Sequence, residues 1–562
     1  MNKLIKNNLK VIDFFCGAGG FSEGFRQQGF KIVKGIDSWQ PAIESHNLNH
    51  NLNDSTKNVL DFWSKDSDNV DEIEQLEDTE FLIGSPSCVS FSMSNKAGKA
   101  DKTEGVKLIE AYLRVIAVKK HKKKSVLKGW YMENVPKSRD FIKTKYTFEQ
   151  LNLTKWAIQN NYNKNDIALE IQGEILNAGD YGAPQERKRF IAGEWVETGK
   201  FLSPTITHGV HKTVKNIRTE IPRVNESKKS KKVFHDPNYS NIKLNINKIT
   251  DHFYDTGVYK IEWEKAEFLK TNHPFMGKMS FPENEGRTSR TIMATRSAST
   301  REALLYKSEH NRKENGEYRL PTIREIASLM GFPYVYQFCG SEGTKWRQVG
   351  NSVCPHMSSA LAKEFRKKLG LKVIEDNDLS FSELEKNFKK VENLNSFEKK
   401  EFSSPRRRLK DARFRRHTLK MGNMTIDLMN YHPEKKEEVA KKWYIIAFFG
   451  TGEGYKKKIF DYNELKDLES ILKNELKDFE NYKNTIKNNF SFDSSLFQSV
   501  FENDLQLENE NNPILVLKKL SRTILENSCC NKKINTNHLL QKDNVPIAHL
   551  MSAYGLLNIV NN

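Results

Sequence analysis

Short apolar runs alternate with longer amphipathic segments over about residues 9–200, and this alternation constrains the fold more than any other feature. The runs that favour strands are 9–15, 31–36, 81–84, 130–132 and 189–192. The segments that favour helices are 21–28, 41–47 and 107–119. Such alternation predicts an α/β fold with a mainly parallel sheet. Because ligands bind these sheets at the carboxyl ends of the strands, we expect the functional groups there.

Two of these strand ends carry groups suited to a nucleoside. Phe15-Cys-Gly-Ala-Gly-Gly-Phe-Ser22 places three glycines between a strand and a helix, where the backbone can approach a ligand closely. Asp37 ends the next strand and can accept both hydroxyls of a ribose, with a helix N-cap as the alternative. Asn58 can meet an adenine ring, a role for which Asp61 competes. The pattern predicts a pocket for a nucleoside-containing cofactor.

Two further strand ends carry a cysteine and an acid. Gly84-Ser-Pro-Ser-Cys88 follows one predicted strand, and Glu133-Asn-Val-Pro136 follows another. A thiolate that adds to carbon 6 of a cytosine makes carbon 5 nucleophilic, and an acid is needed at ring nitrogen 3. A lone cysteine is more often structural, but the acidic loop favours catalysis. Together the four segments predict methyl transfer from S-adenosylmethionine to carbon 5 of a cytosine.

Gln185-Glu-Arg187-Lys-Arg189 alternates two arginines onto one face of an extended segment. Their guanidinium groups can hold the cytosine O2, a phosphate or the cysteine loop. A strand with surface ion pairs is the alternative interpretation.

These segments resemble the ordered motifs of the DNA cytosine-5 methyltransferases, as do Pro321-Thr-Ile-Arg-Glu325, Gly331-Phe-Pro333 and Gln348-Val-Gly-Asn-Ser-Val353. The resemblance covers about residues 9–368 and implies a Rossmann-like, S-adenosylmethionine-dependent catalytic domain. It implies that Cys88 is the nucleophile, that Glu133 is the acid at nitrogen 3, and that Arg187 and Arg189 contact the base and the cysteine loop. The pocket residues for S-adenosylmethionine are then Phe15, Gly17, Gly19, Gly20, Asp37, Asn351 and Val353, to which we add Asn58.

The chain departs from the family in its cysteine loop. The family usually has Pro-Pro-Cys-Gln, whereas Ser87 and Val89 flank Cys88 here. Since proline stiffens a loop, Ser87 predicts a more mobile one. We expect activity because Cys88, Glu133 and both arginines are retained. The alternatives are an RNA cytosine-5 methyltransferase and a catalytically silent DNA-binding regulatory module.

The resemblance also divides the chain. It implies a catalytic domain at 1–200 that is completed by 319–370, with a smaller, irregular, strand-rich target-recognition domain at 201–318. Ser289-Arg-Thr-Ile292 resembles the step that anchors the recognition loops, and 294–302 is expected to lie against DNA. The residues predicted to contact DNA are Gln185, Arg290, Thr291, Arg296 and Arg301.

Residues 371–562 lie outside the resemblance and are predicted to form a C-terminal accessory α+β domain. It should contain a buried strand at 443–449, a charged helix over 463–490 and an apolar helix over 547–560. The segment 405–417 carries six arginines and an aromatic residue, a composition that favours contact with DNA phosphates. A solvated turn is the alternative.

Charge and cysteine content agree with a DNA-binding enzyme. Lysine and arginine number 90 against 72 acidic residues, a formal charge of +18. Such an excess favours a polyanion such as double-stranded DNA, although an AT-rich coding bias also gives it. The six cysteines show no metal-binding spacing, and no secretion signal or long apolar run occurs. We expect no metal, no membrane contact and a cytoplasmic, nucleoid-associated bacterial monomer, with a cognate restriction endonuclease or other phage-defence proteins as partners.

Overall fold

The structure is a computed structural model, and it divides into two compact units, residues 1–405 and 406–562. The residues it describes are 9–63, 69–87, 102–226, 230–249, 252–272, 277–388, 416–421, 424–429, 443–449, 456–490, 497, 512–527, 529, 532–535 and 545–561.

The first unit is built on a six-stranded sheet. The strands of the first unit as a whole are β1 Lys10–Phe14, β2 Lys31–Ile36, β3 Phe81–Gly84, β4 Gly129–Asn134, β5 Lys145–Thr147, β6 Ile167–Glu170, β7 Gln172–Asn177, β8 Lys188–Trp195, β9 Val233–His235, β10 Lys243–Asn245, β11 Tyr306–Lys307 and β12 Tyr318–Arg319. Six of them form the main sheet, in the order β2-β1-β3-β4-β8-β7. Its first four strands run parallel, and β8 and β7 are antiparallel to their neighbours. The predicted α/β fold is confirmed.

Helices cover both faces of this sheet. The helices of the first unit are α1 Gly20–Gln27, α2 Gln40–His50, α3 Asp71–Glu74, α4 Thr103–His121, α5 Thr154–Gln159, α6 Val214–Glu220, α7 Lys260–Thr271, α8 Ile323–Met330, α9 Glu342–Asn351, α10 Pro355–Lys368 and α11 Ser382–Phe388. Every residue of β3 and β4 is buried, as strands covered on both faces require.

Helix α10 shows how the returning segment completes the catalytic fold. Its Phe365 ring stacks on Tyr131 of β4, with ring centroids 4.5 Å apart, and on Phe81 of β3, at 4.6 Å. Such aromatic contacts add about 0.5–1.5 kcal/mol each beyond the apolar area that they bury. A segment that returns after a long insertion therefore supplies one wall of the sheet's core.

The region between β8 and α8 is irregular, as predicted, but the expectation of a strand-rich domain is wrong. The structure describes two short two-stranded sheets there, β9–β10 and β11–β12, together with α6 and α7. These four strands are only two or three residues long, so their ladders are short. Side chains of this region also form hydrogen bonds with backbone groups: Asn238 Nδ2, for example, donates to the carbonyl of Ser328 at 2.8 Å.

A buried ion-pair network joins this region to the returning segment. Arg319 donates to Glu309, at 2.6 and 2.8 Å, and to Glu325, at 2.7 and 2.8 Å. Arg218 pairs with the same two glutamates and with Glu285. Burial opposes the ionisation of Glu325, but the Arg319 guanidinium overrides it and holds the pKa of that carboxyl well below its usual range.

The predicted domain boundary at residue 371 is wrong, because residues 371–388 pack on the first unit. Leu384 of α11 is fully buried in its core. Asn387 Nδ2 donates to the carbonyl of Leu48 at 2.8 Å, and Arg26 donates to the carbonyl of Ser380 at 3.0 Å. This extension could not be predicted from the sequence, because the segment is short and strongly charged and resembles a linker.

The second unit has its own core around an antiparallel sheet of order β13-β14-β15-β16. Its elements are β13 Arg416–Met421, β14 Met424–Met429, β15 Tyr444–Phe449, β16 Lys456–Phe460, α12 Leu465–Glu475, α13 Phe479–Asn489, α14 Pro513–Glu526, β17 Lys533–Ile534, β18 Val545–Pro546 and α15 Ile547–Asn561. The predicted strand and apolar helix are confirmed.

The single charged helix predicted over 463–490 is instead two helices, α12 and α13. The chain turns at Leu476, whose φ of −109° and ψ of 111° are extended. Leu476 and Phe479, on either side of this turn, are both buried in the core of the second unit. The arginine cluster at 405–415 lies outside the described residues. Among the helices that are described, none is long and apolar enough to span a membrane.

Candidate active site

A cavity of about 270 Å³ lies at the carboxyl ends of the parallel strands. Its wall gathers segments that are far apart in the sequence: the glycine loop after β1, the turn after β2, the loop after β3, the end of β4, the start of β8 and the end of α9. The lining residues are Phe15, Gly17, Asp37, Ser38, Trp39, Asn58, Val59, Ser85, Pro86, Ser87, Leu108, Glu133, Arg187, Arg189, Gln348 and Asn351.

The glycine loop and Asp37 form one end of the cavity. Phe15 and Gly17 both have a φ of 53°, and a Cβ at Gly17 would meet no atom within 4 Å, so this backbone faces open space. The N–H groups of Gly17 and Trp39 donate to the two oxygens of Asp37, each at 2.9 Å. Burial raises the pKa of Asp37 above its usual value, and these two donors oppose the rise. The carboxylate is thus fixed at the wall.

Three residues predicted for the cofactor pocket, Gly19, Gly20 and Val353, do not line the cavity. A Cβ at Gly20 would lie 2.1 Å from the carbonyl oxygen of Val353, and one at Gly19 would lie 2.4 Å from Tyr336 Oη. Both positions need glycine for close packing behind the loop. Contact of these three residues with the cofactor stays a prediction.

Asn58 and Asp61, the two candidates for contact with adenine, differ in position. Asn58 lines the cavity with Val59, and its Oδ1 caps the following short 3₁₀ turn by accepting the N–H of Leu60 at 2.9 Å. Asp61 is exposed and is not part of the cavity wall. Asn58 is therefore the residue able to meet a ligand.

A buried polar group supports the glycine loop. Asp13 in β1 accepts the hydroxyl of Ser22 at 2.6 Å, and Ser22 Oγ lies 3.0 Å from His46 Nε2. Burial raises the pKa of Asp13 to about 8 and lowers that of His46 to about 4. Both groups are therefore mainly uncharged near pH 7.

Glu133 is held on the cavity wall by two side chains. Arg189 Nε contacts its Oε1 at 2.7 Å, and the Ser85 hydroxyl donates to its Oε2 at 2.5 Å. The antiparallel pairing of β4 with β8 brings the two residues together. Asn134 lies opposite Phe190, so the residues just before them, Glu133 and Arg189, are close neighbours across the two strands. The sequence prediction that Glu133 and Arg189 share a site is supported by this contact.

The Arg187 guanidinium is bonded to backbone carbonyls behind the cavity wall. The residue is 2% exposed, and its side chain donates to the carbonyls of Ile292 at 3.3 Å, Gly350 at 2.9 Å and Ser352 at 3.0 Å. It reaches the cavity wall but holds the recognition region and the end of α9 together. These bonds give Arg187 a positioning role, and its contact with the base stays a prediction.

Cys88 and Val89 lie outside the described residues, but the start of their loop is well defined. The N–H of Ser85 donates to the carbonyl of Phe14 at 3.0 Å, which continues the pairing of β3 with β1. Asn134 Nδ2 donates to the carbonyl of Pro86 at 3.0 Å. The residues that lead into Cys88 are thus fastened to the acidic loop, and Ser87 lies on the cavity wall.

One of the predicted DNA contacts is wrong. Gln185 is fully buried, and its side chain accepts the N–H of Ile292 at 3.0 Å and donates to the carbonyl of Leu329 at 3.3 Å. It anchors the recognition segment instead of touching DNA. The sequence could not show this, because an amide on a polar, basic strand looks the same in either role.

The other predicted contacts differ in how much they are engaged by the protein. Arg290 pairs with Glu283 and Glu302, and Arg301 donates to the carbonyls of Leu269 and Gly277. Thr291 Oγ1 donates to the carbonyl of Glu186 at 2.7 Å, whereas Arg296 is exposed. DNA contact by these four residues stays a prediction, best supported for Arg296.

Three further residues of the wall were not expected from the sequence. They are Ser38, Trp39 and Leu108. Trp39 could have been predicted, because an aromatic ring close behind the acid at a strand end can stack on an adenine. Nothing in the sequence distinguishes Leu108 from the other apolar positions of α4.

Comparison with known proteins assigns the family. Residues 9–367 match C-5 cytosine-specific DNA methylases. The type II methyltransferase M.MthTI of Methanothermobacter thermautotrophicus is 27% identical over 368 residues, 64% of this chain and 98% of that protein. The type II methyltransferase M1.HphI of Haemophilus parahaemolyticus is 26% identical over 361 residues, 63% and 86% of the two chains. Among solved structures, the Dnmt2 methyltransferase of S. pombe matches 65% of this chain with a TM-score of 0.39 and 17% identity.

The chain therefore belongs to the C-5 cytosine-specific DNA methylase family, and its activity is that of a DNA cytosine-5-methyltransferase. The match ends before the second unit, which the family does not account for.

Proposed function

We propose that this protein transfers a methyl group from S-adenosylmethionine to carbon 5 of a flipped-out cytosine in duplex DNA, through a covalent bond to Cys88. The observation that carries the proposal is the single cavity that joins the glycine loop and Asp37 to Glu133 and the start of the cysteine loop. A cofactor held at one end would have its reactive group near the acid at the other.

The cavity residues fit S-adenosylmethionine. The open backbone at Gly17 admits a ligand, the Asp37 carboxylate is suited to ribose hydroxyls, and the Trp39 ring offers an apolar face for adenine. Asn58 and Asn351 add amide groups to the same wall. When bound, S-adenosylmethionine supplies an electrophilic methyl group on its sulfonium centre.

The residues of the chain supply the rest of the chemistry. The Cys88 thiolate forms a bond to carbon 6 of the cytosine while Glu133 provides the proton at nitrogen 3. Carbon 5 of the resulting enamine then takes the methyl group, and S-adenosylhomocysteine is the leaving group. The carbon 5 proton is lost to a base such as water, the thiolate departs from carbon 6, and the nitrogen 3 proton returns to Glu133, which restores the aromatic ring. Arg189 keeps Glu133 in place throughout.

A base stacked in a duplex cannot reach this cavity, so the cytosine must be flipped out. The recognition segment is held near the cavity by Arg187 and by Trp346, whose Nε1 donates to the carbonyl of Met293 at 2.9 Å. The exposed Arg296 follows this anchor and is our first candidate for contact with DNA.

We further propose that the enzyme protects host DNA in a restriction–modification or related phage-defence system and acts as a monomer on DNA. The support is that its relatives are type II methyltransferases. The partner would be a cognate endonuclease or another defence protein. The second unit is proposed to strengthen DNA binding, a role favoured by the arginine-rich segment 405–417.

Substitution of Glu133 and Asp37 should separate catalysis from cofactor binding. Glu133→Gln should slow methyl transfer roughly 100-fold or more, because the acid acts on the base. Asp37→Ala should weaken S-adenosylmethionine binding roughly ten-fold or more, because a carboxylate that accepts ligand hydroxyls is lost. Isothermal titration with the cofactor and single-turnover methylation of DNA give the two quantities.

Each variant serves as the control for the other. Glu133→Gln should keep nearly normal cofactor affinity, and Asp37→Ala should recover much of its rate at saturating cofactor. If Glu133→Gln lost cofactor binding while Asp37→Ala kept it, the assignment of the two ends of the cavity would be reversed.

A further inference from the structure

Ser85 occupies an unusual position for a loop residue. It is the first residue after β3, and its backbone is fixed by the bond from its N–H to the carbonyl of Phe14. Its hydroxyl donates to Glu133 Oε2 at 2.5 Å. The nucleophile loop is thus bonded directly to the proposed acid, three residues before the cysteine.

The second oxygen of Glu133 is held from a different element. Arg189, at the start of β8, contacts Oε1 at 2.7 Å, and its Nη1 donates to the carbonyl of Lys188 at 2.8 Å. The terminal torsion of a glutamate is broad and roughly two-fold, so one contact alone would leave the carboxyl free to rotate. Two donors from opposite sides fix its plane.

We propose that Ser85 is a positioning residue for catalysis: its hydroxyl sets the orientation of the Glu133 carboxyl toward the base and yields Oε2 to nitrogen 3 when the cytosine arrives. This inference rests on the proposed role of Glu133. A hydroxyl can donate to the carboxylate and then rotate away, which a backbone N–H in a strand cannot do. Ser85 therefore adjusts the acid without touching the reacting atoms.

The hydroxyl also affects the proton balance of the acid. A hydrogen bond donated to a carboxylate favours its ionised form over its protonated form. Removal of the hydroxyl should therefore move the pH dependence that Glu133 gives to the reaction toward higher pH. A purely structural serine would change the rate or the stability but would leave this dependence in place.

The test is the pH profile of single-turnover methylation. Genomic DNA without cytosine methylation and S-adenosylmethionine with a labelled methyl group are used with wild type, Ser85→Ala, Ser85→Cys and Ser85→Thr. Glu133→Gln identifies the limb of the profile that belongs to the acid, because that limb disappears. Ser203→Ala is the matched control, since the Ser203 hydroxyl donates to Glu174 at 2.7 Å on the surface, outside the cavity wall.

We expect Ser85→Ala and Ser85→Cys to move the Glu133 limb upward by about one pH unit, the effect of one hydrogen bond to a charged group. Ser85→Thr should restore the wild-type position, and Ser203→Ala should not move it. An unmoved limb in both the alanine and the cysteine variants, or a threonine variant that behaves like alanine, would overturn the inference alone. A wild type that methylates no DNA would overturn the proposed function and this inference with it.

Discussion

Cys88→Ser is expected to abolish methyl transfer while the protein still folds and binds its cofactor. A serine hydroxyl has a far higher pKa than a thiol, so it cannot add to carbon 6 at neutral pH. The rate should fall below about 1% of wild type, which corresponds to a barrier higher by about 2.7 kcal/mol or more. Methylation of DNA in a single turnover measures the effect, and titration with S-adenosylmethionine is the control.

The same chemistry can be tested by trapping. DNA with 5-fluorocytosine at the methylated position should stay covalently bound to wild type, since fluorine at carbon 5 cannot leave as the proton does. Cys88→Ser should form no such adduct on the same DNA. Residual methylation well above 1%, or an adduct that survives in the serine variant, would show that Cys88 is not the nucleophile.

Arg319→Met is expected to cause the largest loss of stability. The Arg319 guanidinium forms ion pairs with Glu309 and Glu325 in a buried site. Without it, the charges of these two carboxylates would be partly uncompensated. Breaking a buried pair from one side costs about 3–5 kcal/mol of unfolding free energy. Urea denaturation followed by tryptophan fluorescence reports mainly on the first unit, because only Trp443 lies in the second.

Acid should erase much of this difference. Burial opposes the ionisation of Glu325 and Glu309, but Arg319 holds the pKa of each below the usual value of 4.5. The stabilisation is therefore fully present above pH 4.5 and is lost as the pH falls through the lower folded-state values. The gap between wild type and Arg319→Met should shrink over that range.

Two further variants define the outcome. Lys164→Met removes an exposed pair with Glu149 and should cost less than about 1 kcal/mol. Arg319→Met combined with Glu325→Gln should recover part of the loss, because one buried charge is removed. Equal losses for the Arg319 and Lys164 variants would mean that the buried network contributes nothing special.

The catalytic layer of this protein could be predicted well from its sequence. Strand ends are marked by apolar runs that stop at Gly, Asp, Cys or Glu, and parallel strands bring those ends together. The placement of Asp37 and Glu133 on one cavity wall follows from this rule. Local pattern and topology agree here, which is why the prediction was sound.

Predictions failed where long-range packing decides the role of a polar side chain. Gln185 and Arg187 share a basic, alternating extended segment with Arg189, yet only burial shows that the first two bond to neighbouring backbone groups. Gly19 and Gly20 lie in a ligand-type loop, but their lack of a Cβ serves the packing of Tyr336 and Val353. Such distinctions depend on distances that a single sequence does not contain.

Bisulfite sequencing of DNA from cells that express this protein tests the central claim most directly. The host should lack cytosine methylation, and cells that express Glu133→Gln serve as the comparison. We predict that cytosines in one fixed sequence context resist conversion with wild type and convert fully, or nearly so, with the variant. Complete conversion of every cytosine in DNA from the wild-type cells, particularly if their RNA carries the resistant positions instead, would contradict the account.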